Sequence, residues 1–133
     1  MMLSLGIIYA DILMVKHALE DYKENPKIKD IKNMAAYHLQ QAVEKLIKYQ
    51  IYRNARQVNN RELYTHNIGV LIEYAKKENL TIQVPQYVER NCEIITKWEA
   101  GSRYDLHFSV RIDTLEKALS IVEQWYSEVK ADK

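Results

Sequence analysis

The sequence predicts an all-α protein, an up-and-down bundle of four to five helices built as a single domain over residues 1–133. Apolar residues recur every three to four positions in each of five segments, as they do on the buried side of a helix. With 3 glycines and 2 prolines, the chain lacks the turn residues that a loop-rich all-β protein needs. Its 133 residues, 47% of them hydrophobic, suit one buried core.

The first two predicted helices are separated by Asn25-Pro26, because proline disfavours helical backbone in the residue before it. Helix one is predicted over about residues 4–24. Helix two is predicted over about residues 30–56, and two stripes along it hold only at 3.6 residues per turn. The apolar stripe consists of Ala35, Leu39, Ala42, Val43, Leu46 and Tyr49. The opposite, polar stripe consists of His38, Gln41, Lys45, Lys48 and Tyr52.

Helix three is predicted over about residues 66–78. Thr65 precedes it and is a suitable N-cap, because a threonine hydroxyl can accept hydrogen bonds from the first free N–H groups. Asn79 suits the C-terminal end, where the backbone often turns left-handed. A short extended segment, residues 81–84, follows.

Helix four is predicted to begin with Pro85 in its first turn and to end near Gly101, since glycine is the usual residue just past a helix. Residues 102–108 are predicted to form a loop. Helix five then runs to about residue 129 and has two candidate N-caps, Asp113 and Thr114.

Charge and cysteine content argue against several classes of protein. The chain has 19 Lys and Arg against 18 Asp and Glu, so its net charge of +1 does not indicate a strongly basic nucleic-acid-binding protein. The single cysteine, Cys92, cannot form an internal disulfide or a cysteine-based zinc site, which fits a reducing compartment. The apolar start lacks a basic region and is interpreted as the first helix rather than a signal peptide. We therefore expect a cytoplasmic protein that does not interact with membranes.

Five cations and no acid lie between residues 45 and 61: Lys45, Lys48, Arg53, Arg56 and Arg61. Such a cluster can bind phosphates through charge-assisted hydrogen bonds. Three tyrosines lie among these cations and can stack on bases: Tyr49, Tyr52 and Tyr64. The alternative interpretation is a solvated helix surface, which is common in helical proteins.

A second group of polar residues lies within five positions: Arg103, Tyr104, Asp105 and His107. An arginine can bind a phosphate bidentately, and a histidine can transfer a proton near neutral pH. Together they would suffice for metal-free cleavage of RNA, with the 2′-hydroxyl of the RNA as nucleophile. Alternatively, Arg103 and Asp105 tie down the loop and His107 packs. The four histidines are scattered and show no metal-binding spacing, so neither a metal nor a cofactor is expected.

Three segments resemble the HEPN domain family. Residues 35–48, Ala-Ala-Tyr-His-Leu-Gln-Gln-Ala-Val-Glu-Lys-Leu-Ile-Lys, are similar to its signature helix, an aromatic residue followed by Gln-Gln-Ala-x-Glu-Lys-x-x-Lys. Residues 65–72 resemble the His-x-Leu-x-x-Leu motif at the start of its third helix. Residues 102–105 resemble the Arg-Tyr-Pro/Asp loop after its fourth helix. The matches occur in the family's order, and the helical layout covers essentially the whole chain.

The resemblance implies a five-helix bundle that often dimerises and is associated with nucleotides and RNA. Many members are metal-independent ribonucleases that act as toxins or defence effectors, paired with a nucleotidyltransferase-like partner. Their catalytic pattern is an arginine, four to six residues, and then a histidine, with the active site shared across a dimer. Here Arg103 and His107 enclose only three residues.

Three functions are therefore open. The first is a nucleotide- or RNA-binding module that acts with a nucleotidyltransferase-like partner, with four candidate ligand-binding residues, Gln41, Lys45, Lys48 and His66. The second is a metal-independent endoribonuclease, in which Arg103 holds the scissile phosphate, His107 transfers the proton, and Tyr104 or Asp105 orients them. The third is a structural dimerisation domain without a ligand. In each case the partner chain we expect is a second copy, as a homodimer.

Overall fold

The structure, a computed structural model, describes residues 3–132. Helix α1 spans Leu5–Glu24 and begins at Ser4, whose Oγ accepts a hydrogen bond from the Ile7 N–H at 3.1 Å. Helix α2 spans Lys29–Asn54 and is the longest, with 26 residues. The first two predicted helices are thus confirmed, with ends that differ by at most two residues.

Within residues 3–132 the chain forms seven helices and no strand. After α1 and α2, the others are α3 (Asn60–Leu63), α4 (Ile68–Lys77), α5 (Gln86–Arg90), α6 (Cys92–Tyr104) and α7 (Ile112–Ala131). Helices α3 and α5 are single turns, and the remaining five are the long helices of the bundle. The predicted all-α bundle is confirmed. In this part of the chain, no helix has the length and apolar character needed to cross a membrane.

The N-cap of α4 is Asn67 rather than the predicted Thr65. The Asn67 Oδ1 accepts a hydrogen bond from the Val70 N–H at 3.1 Å, which satisfies a free donor of the first turn. The Thr65 hydroxyl instead accepts from the Asn67 N–H at 3.0 Å and so shapes the turn before the helix. Asn79 follows the helix end with φ 55°, which confirms the expected left-handed residue there.

Predicted helix four is two helices, because the chain breaks at Asn91 between α5 and α6. The prediction that it ends at Gly101 is wrong: α6 continues to Tyr104, so residues 102–104 form its last turn rather than a loop. Helix α7 starts one residue before the candidate caps Asp113 and Thr114, and its N-cap is Arg111.

Glycine is present at position 101 because an aromatic ring approaches the helix there. A Cβ atom added to Gly101 would lie 2.6 Å from Cδ1 and 2.9 Å from Cε1 of Phe108. Phe108 belongs to the segment 105–111, which connects α6 to α7 and packs back onto α6 through this ring. The glycine therefore permits a close tertiary contact and does not terminate the helix.

Replacing Gly101 with alanine should lower the free energy of unfolding by about 1 kcal/mol, because an overpacking cost of about 2 kcal/mol outweighs a gain of about 1 kcal/mol in helix propensity. In a Phe108→Ala background the same substitution should instead stabilise the protein, since only the propensity gain remains. Chemical denaturation of the four proteins measures both effects. Equal effects of Gly101→Ala in the two backgrounds would contradict the proposed clash.

Helix α2 is the central element and packs against α1, α4, α6 and α7. The predicted apolar stripe of α2 is confirmed, since Ala35, Leu39, Ala42, Val43 and Leu46 are at most 1% exposed. Two ion pairs show that α1 and α7 run antiparallel, because Lys16 binds Glu123 whereas Lys23, further along α1, binds Glu116. The polar side of α2 is only partly covered by its neighbours, and this is where the candidate site lies.

Candidate functional site

The predicted polar stripe of α2 forms a half-buried surface, which we call the polar band and define as His38, Gln41, Lys45 and Lys48. The four residues lie on one side of the helix because their spacings of three and four positions match its 3.6-residue turn. Three buried carboxylates contribute to this surface and its flanks, namely Asp11 from α1, Glu44 from α2 and Glu99 from α6.

Asp11 lies at one edge of the polar band and is only 7% exposed. Its Oδ2 accepts from the Lys45 Nζ at 2.6 Å, and its Oδ1 lies 2.8 Å from the Nδ1 of His38. A buried carboxylate needs such partners, because an unpaired charge away from water is costly. The other ring nitrogen of His38, Nε2, makes no hydrogen bond within residues 3–132. In that range the one unpartnered buried side-chain atom is the Oδ1 of Asn33, so the His38 Nε2 reaches solvent.

Glu44 lies beneath the opposite edge of the band and is 5% exposed. Its Oε2 accepts from the Lys48 Nζ at 2.9 Å, while its Oε1 faces the Nδ1 of His66 at 2.9 Å. The buried Gln40 donates to Glu44 Oε1 at 3.1 Å and to the carbonyl of His66 at 2.9 Å, which fixes the segment before α4. Gln41 joins this network by donating to the Oε1 of Gln40 at 2.8 Å.

Glu99 connects the network to α6 and is 6% exposed. One of its carboxylate oxygens lies 3.4 Å from the Nε2 of His66, and the other accepts from the Nη2 of Arg103. His66 therefore lies over two buried carboxylates, although 61% of its own side chain is exposed. The hydrogen bond with Glu99 raises the pKa of Arg103 above its ordinary value, which keeps the guanidinium charged.

The guanidinium of Arg103 also contacts two aromatic rings. Its central carbon is 5.2 Å from the ring centre of Tyr37 and 4.8 Å from that of Tyr104. Tyr104 is 73% exposed, so this stack of planar groups is open to solvent. Tyr37 in turn contacts the His38 ring edge-to-face at 5.1 Å. Arg103 and His38 thus both contact Tyr37.

The charges of this surface balance. Each of the three cations Lys45, Lys48 and Arg103 is paired with one of the three buried carboxylates. With both histidines neutral the surface carries no net charge. The cations are consequently held in place before any ligand arrives, which lowers the entropy cost of binding one.

The four residues predicted to be catalytic are not all brought together. Arg103 and Tyr104 lie in the last turn of α6, and Asp105 caps it. The Asp105 Oδ1 accepts from the backbone N–H of His107 at 2.9 Å. The His107 side chain is exposed, and its ring makes no hydrogen bond within the described residues. The catalytic role of these four residues stays a prediction.

The basic cluster of residues 45–61 is divided by the fold. Its first two lysines belong to the polar band, whereas Arg53 turns to the end of α7 and donates to the carbonyls of Val129 at 3.3 Å and Asp132 at 2.7 Å. Tyr49 packs under Arg53, with its ring centre 5.3 Å from the guanidinium. The five cations therefore do not form one continuous phosphate-binding surface.

Sequence reasoning missed two of the three carboxylates. Asp11 follows the buried Ile8 by three positions, and Glu99 follows the buried Ile95 by four, so both acids fall on apolar helix faces. An acid at helical spacing within an apolar stripe is the signal that could have identified them. The pattern indicates that each buried acid needs a partner, but it does not identify the cation with which the acid pairs.

The polar band lies outside the recorded surface grooves of the described residues. Five recorded grooves of the described residues have volumes of about 280 to 730 Å³, and none is lined by a residue of the band, by His66 or by Arg103. Within the same part of the chain, no group of three or more His, Cys, Asp or Glu side chains is arranged to hold a metal ion.

Comparison with protein families gives one informative result. The HEPN domain family model matches residues 14–131, nearly the whole chain. Neither the curated proteins nor the solved structures contain a significant match.

Proposed function

Because the chain belongs to the HEPN domain family, a family related to nucleotides and RNA, we propose that it binds single-stranded RNA on the polar band of α2. Lys45 and Lys48 contact phosphates, Gln41 supplies a hydrogen bond, and Arg103 lies at one end of the RNA path. The observation that carries this proposal is the solvent-open stack of Arg103 with Tyr37 and Tyr104 beside three cations held by buried carboxylates.

The stack supports RNA as the ligand because unpaired bases bind to aromatic rings and guanidinium planes. Tyr104 presents most of its ring to solvent, and the cations of the band lie along the neighbouring helix. This arrangement of stacking groups next to phosphate-binding groups is typical of surfaces that follow a nucleic-acid strand.

The position of the band outside the recorded grooves favours an RNA strand over a free mononucleotide. Small-molecule sites are concave and enclose most of their ligand. The grooves recorded on the described residues lie elsewhere, so a mononucleotide on the band would stay largely exposed. An extended strand can instead combine several weak contacts along α2.

Replacing Lys45 and Lys48 together with methionine should weaken the binding of a labelled single-stranded RNA about tenfold, because two phosphate contacts are lost. The dependence of log K on log salt should become shallower by about 1.4, at about 0.7 per phosphate contact in a single strand. Fluorescence anisotropy at several salt concentrations measures both quantities. The variant Lys117→Met is the control for loss of an exposed lysine, since Lys117 lies against Tyr87, away from the band. Circular dichroism melting checks that the double variant is folded, because it leaves the buried Asp11 and Glu44 without their lysine partners.

A Tyr104→Ala variant tests the stacking contribution in the same assay. It should weaken binding at least about fivefold with an unchanged salt dependence, because about 1 kcal/mol or more of base stacking is lost but no charge. RNA binding that is unaffected by both sets of substitutions would refute the proposed site. The nucleotidyltransferase-like partner and the homodimer stay predictions.

A further inference from the structure

A groove between α6 and the start of α7 lies apart from the polar band. Its volume is about 640 Å³, which is within the range of small-molecule sites. It is lined by α6, by the connecting segment 105–111 and by Thr114 in the first turn of α7. Four of the α6 residues that line it are spaced three and four positions apart, as on one side of a helix: Ile94, Lys97, Trp98 and Gly101.

The lining of this groove is mostly apolar. Phe108 and Val110 are half-buried and pack against the hydrophobic core, whereas Ile94 is 55% exposed. A ligand that covers such surface gains free energy, because apolar area is removed from water. The groove therefore suits a ligand with an apolar body, and the rings of Trp98 and Phe108 favour an aromatic one.

Trp98 supplies a hydrogen-bond donor without a partner. The residue is 3% exposed, and its indole Nε1 makes no hydrogen bond within residues 3–132. In that range the one unpartnered buried side-chain atom is the Oδ1 of Asn33, so the Trp98 Nε1 reaches solvent. Of the five recorded grooves, Trp98 lines this one alone. Because a buried indole N–H normally has a partner, the groove offers this donor to an acceptor atom of a ligand.

The charges of the lining complement an anion. Two cations, Lys97 and Arg111, and one acid, Asp105, line the groove, which leaves one positive charge in excess. Lys97 is exposed and makes no ion pair within the described residues. Arg111 pairs with Asp113 at 3.1 Å, but both side chains are exposed, so this pair contributes little and the guanidinium can turn to a ligand. The Asp105 Oδ1 is occupied by the backbone N–H of His107 at 2.9 Å.

We propose that this groove binds a small aromatic carboxylic acid in its ionised form. The ring of the ligand lies against Phe108 and the apolar residues of α6. One carboxylate oxygen accepts from the Trp98 Nε1, and the other pairs with the ammonium group of Lys97, since a carboxylate accepts several hydrogen bonds and charge-assisted ones are strong. No residue of the polar band lines the groove, so this inference does not rest on the proposed RNA binding.

A carboxylate fits this groove better than a phosphate monoester does. A phosphate monoester carries close to two negative charges near neutral pH, whereas the lining has one positive charge in excess. The second charge of a phosphate would lie near Asp105 and apolar side chains without a cation to balance it, and an unpaired charge away from water is costly.

The test uses nitrogen-15-labelled protein of the full chain and follows its two indole N–H signals by NMR, because Trp98 and Trp125 line different grooves. The probes are benzoate, naphthoate, indoleacetate and biphenylcarboxylate at millimolar concentration. Naphthalenemethanol is the uncharged control, and phenyl phosphate is the phosphate control. At least one carboxylate should shift the Trp98 signal saturably and leave the Trp125 signal in place. Both controls should shift it less at the same concentration.

Two variants test the residues that bind the acid. Lys97→Met should weaken binding of the responding carboxylate about tenfold, because a hydrogen bond between two charged groups is lost. Lys76→Met is the matched control, since Lys76 is an exposed lysine of α4 that lines none of the recorded grooves. Trp98→Phe assigns the indole signal and should also weaken binding, which is then followed through the backbone amide of Gly101. Circular dichroism melting checks that each variant is folded.

Each outcome either supports or overturns the inference. A saturable shift of the Trp98 signal that Lys97→Met weakens and Lys76→Met does not supports it. A shift of the Trp125 signal alone overturns it, because the ligand then occupies the groove beside residues 82–85. Absence of a shift with all four carboxylates also overturns it. An equal response to naphthalenemethanol, or undiminished binding in Lys97→Met, overturns the assignment of an acid as the ligand.

Discussion

Replacing Glu44 with leucine should lower the free energy of unfolding by about 3 kcal/mol, the lower end of the cost of breaking a buried ion pair. Glu44 is 5% exposed and accepts hydrogen bonds from Lys48 and Gln40 while facing His66. Without the carboxylate, Lys48 keeps its charge at a site where its side chain is only 16% exposed. Urea denaturation monitored by circular dichroism measures the loss.

Glu73→Leu in α4 is the matched control for this prediction. The Glu73 side chain is 77% exposed, and its one recorded ion pair, with Lys76, spans 3.9 Å. Exposed pairs of this kind contribute little, so the change should stay within about 0.5 kcal/mol. Equal losses of unfolding free energy in the two variants would contradict the predicted cost of breaking the buried Glu44 ion pair.

Replacing Gln50 with leucine should cost about 2 kcal/mol, because the two hydrogen bonds that join its side chain to Gln83 are lost. Gln50 lies on α2 and is 1% exposed. Its Nε2 donates to the Gln83 carbonyl at 2.9 Å, and its Oε1 accepts from the Gln83 N–H at 2.7 Å. The amide thus pairs with the backbone of the segment between α4 and α5 as a neighbouring strand would. Trp125 of α7 donates to the same carbonyl at 2.8 Å.

Denaturation of Gln50→Leu beside Gln124→Leu provides the measurement. Gln124 is an exposed glutamine of α7, and its loss should change the free energy of unfolding by less than about 0.5 kcal/mol. A double-mutant cycle of Gln50→Leu with Trp125→Phe should show coupling, since both side chains bind the Gln83 carbonyl. Additive effects would show that the two contacts act independently.

Much of the fold follows from local patterns that do not depend on tertiary context. The apolar stripe of α2, the proline break after α1 and the left-handed Asn79 each act within a few residues, so their positions could be predicted. The helix end at Gly101 was predicted wrongly because this glycine is required by a tertiary contact and not by its sequence neighbours. That glycine makes room for Phe108, a contact across the connecting segment that no local pattern contains.

Part of the candidate site could likewise be predicted from local patterns, and part of it could not. A polar stripe was predicted from helical spacing alone, and in the structure its five members are partly buried residues of α2: His38, Gln41, Lys45, Lys48 and Tyr52. The pairing of its cations was out of reach, because Asp11 and Glu99 come from α1 and α6, far from α2 along the chain. Without those partners, His66 and the lysines were expected simply to face a ligand.

The sequence by itself determined an all-α chain of the HEPN domain family with a polar stripe on its central helix, because helical periodicity and the motif on α2 are properties of neighbouring residues. Only the tertiary structure decided what surrounds that stripe. Packing brought Asp11 to the Nδ1 of His38 and laid His66 over Glu44 and Glu99. The physical reason is that a buried carboxylate must find a partner in space, and that partner depends on which helices pack together.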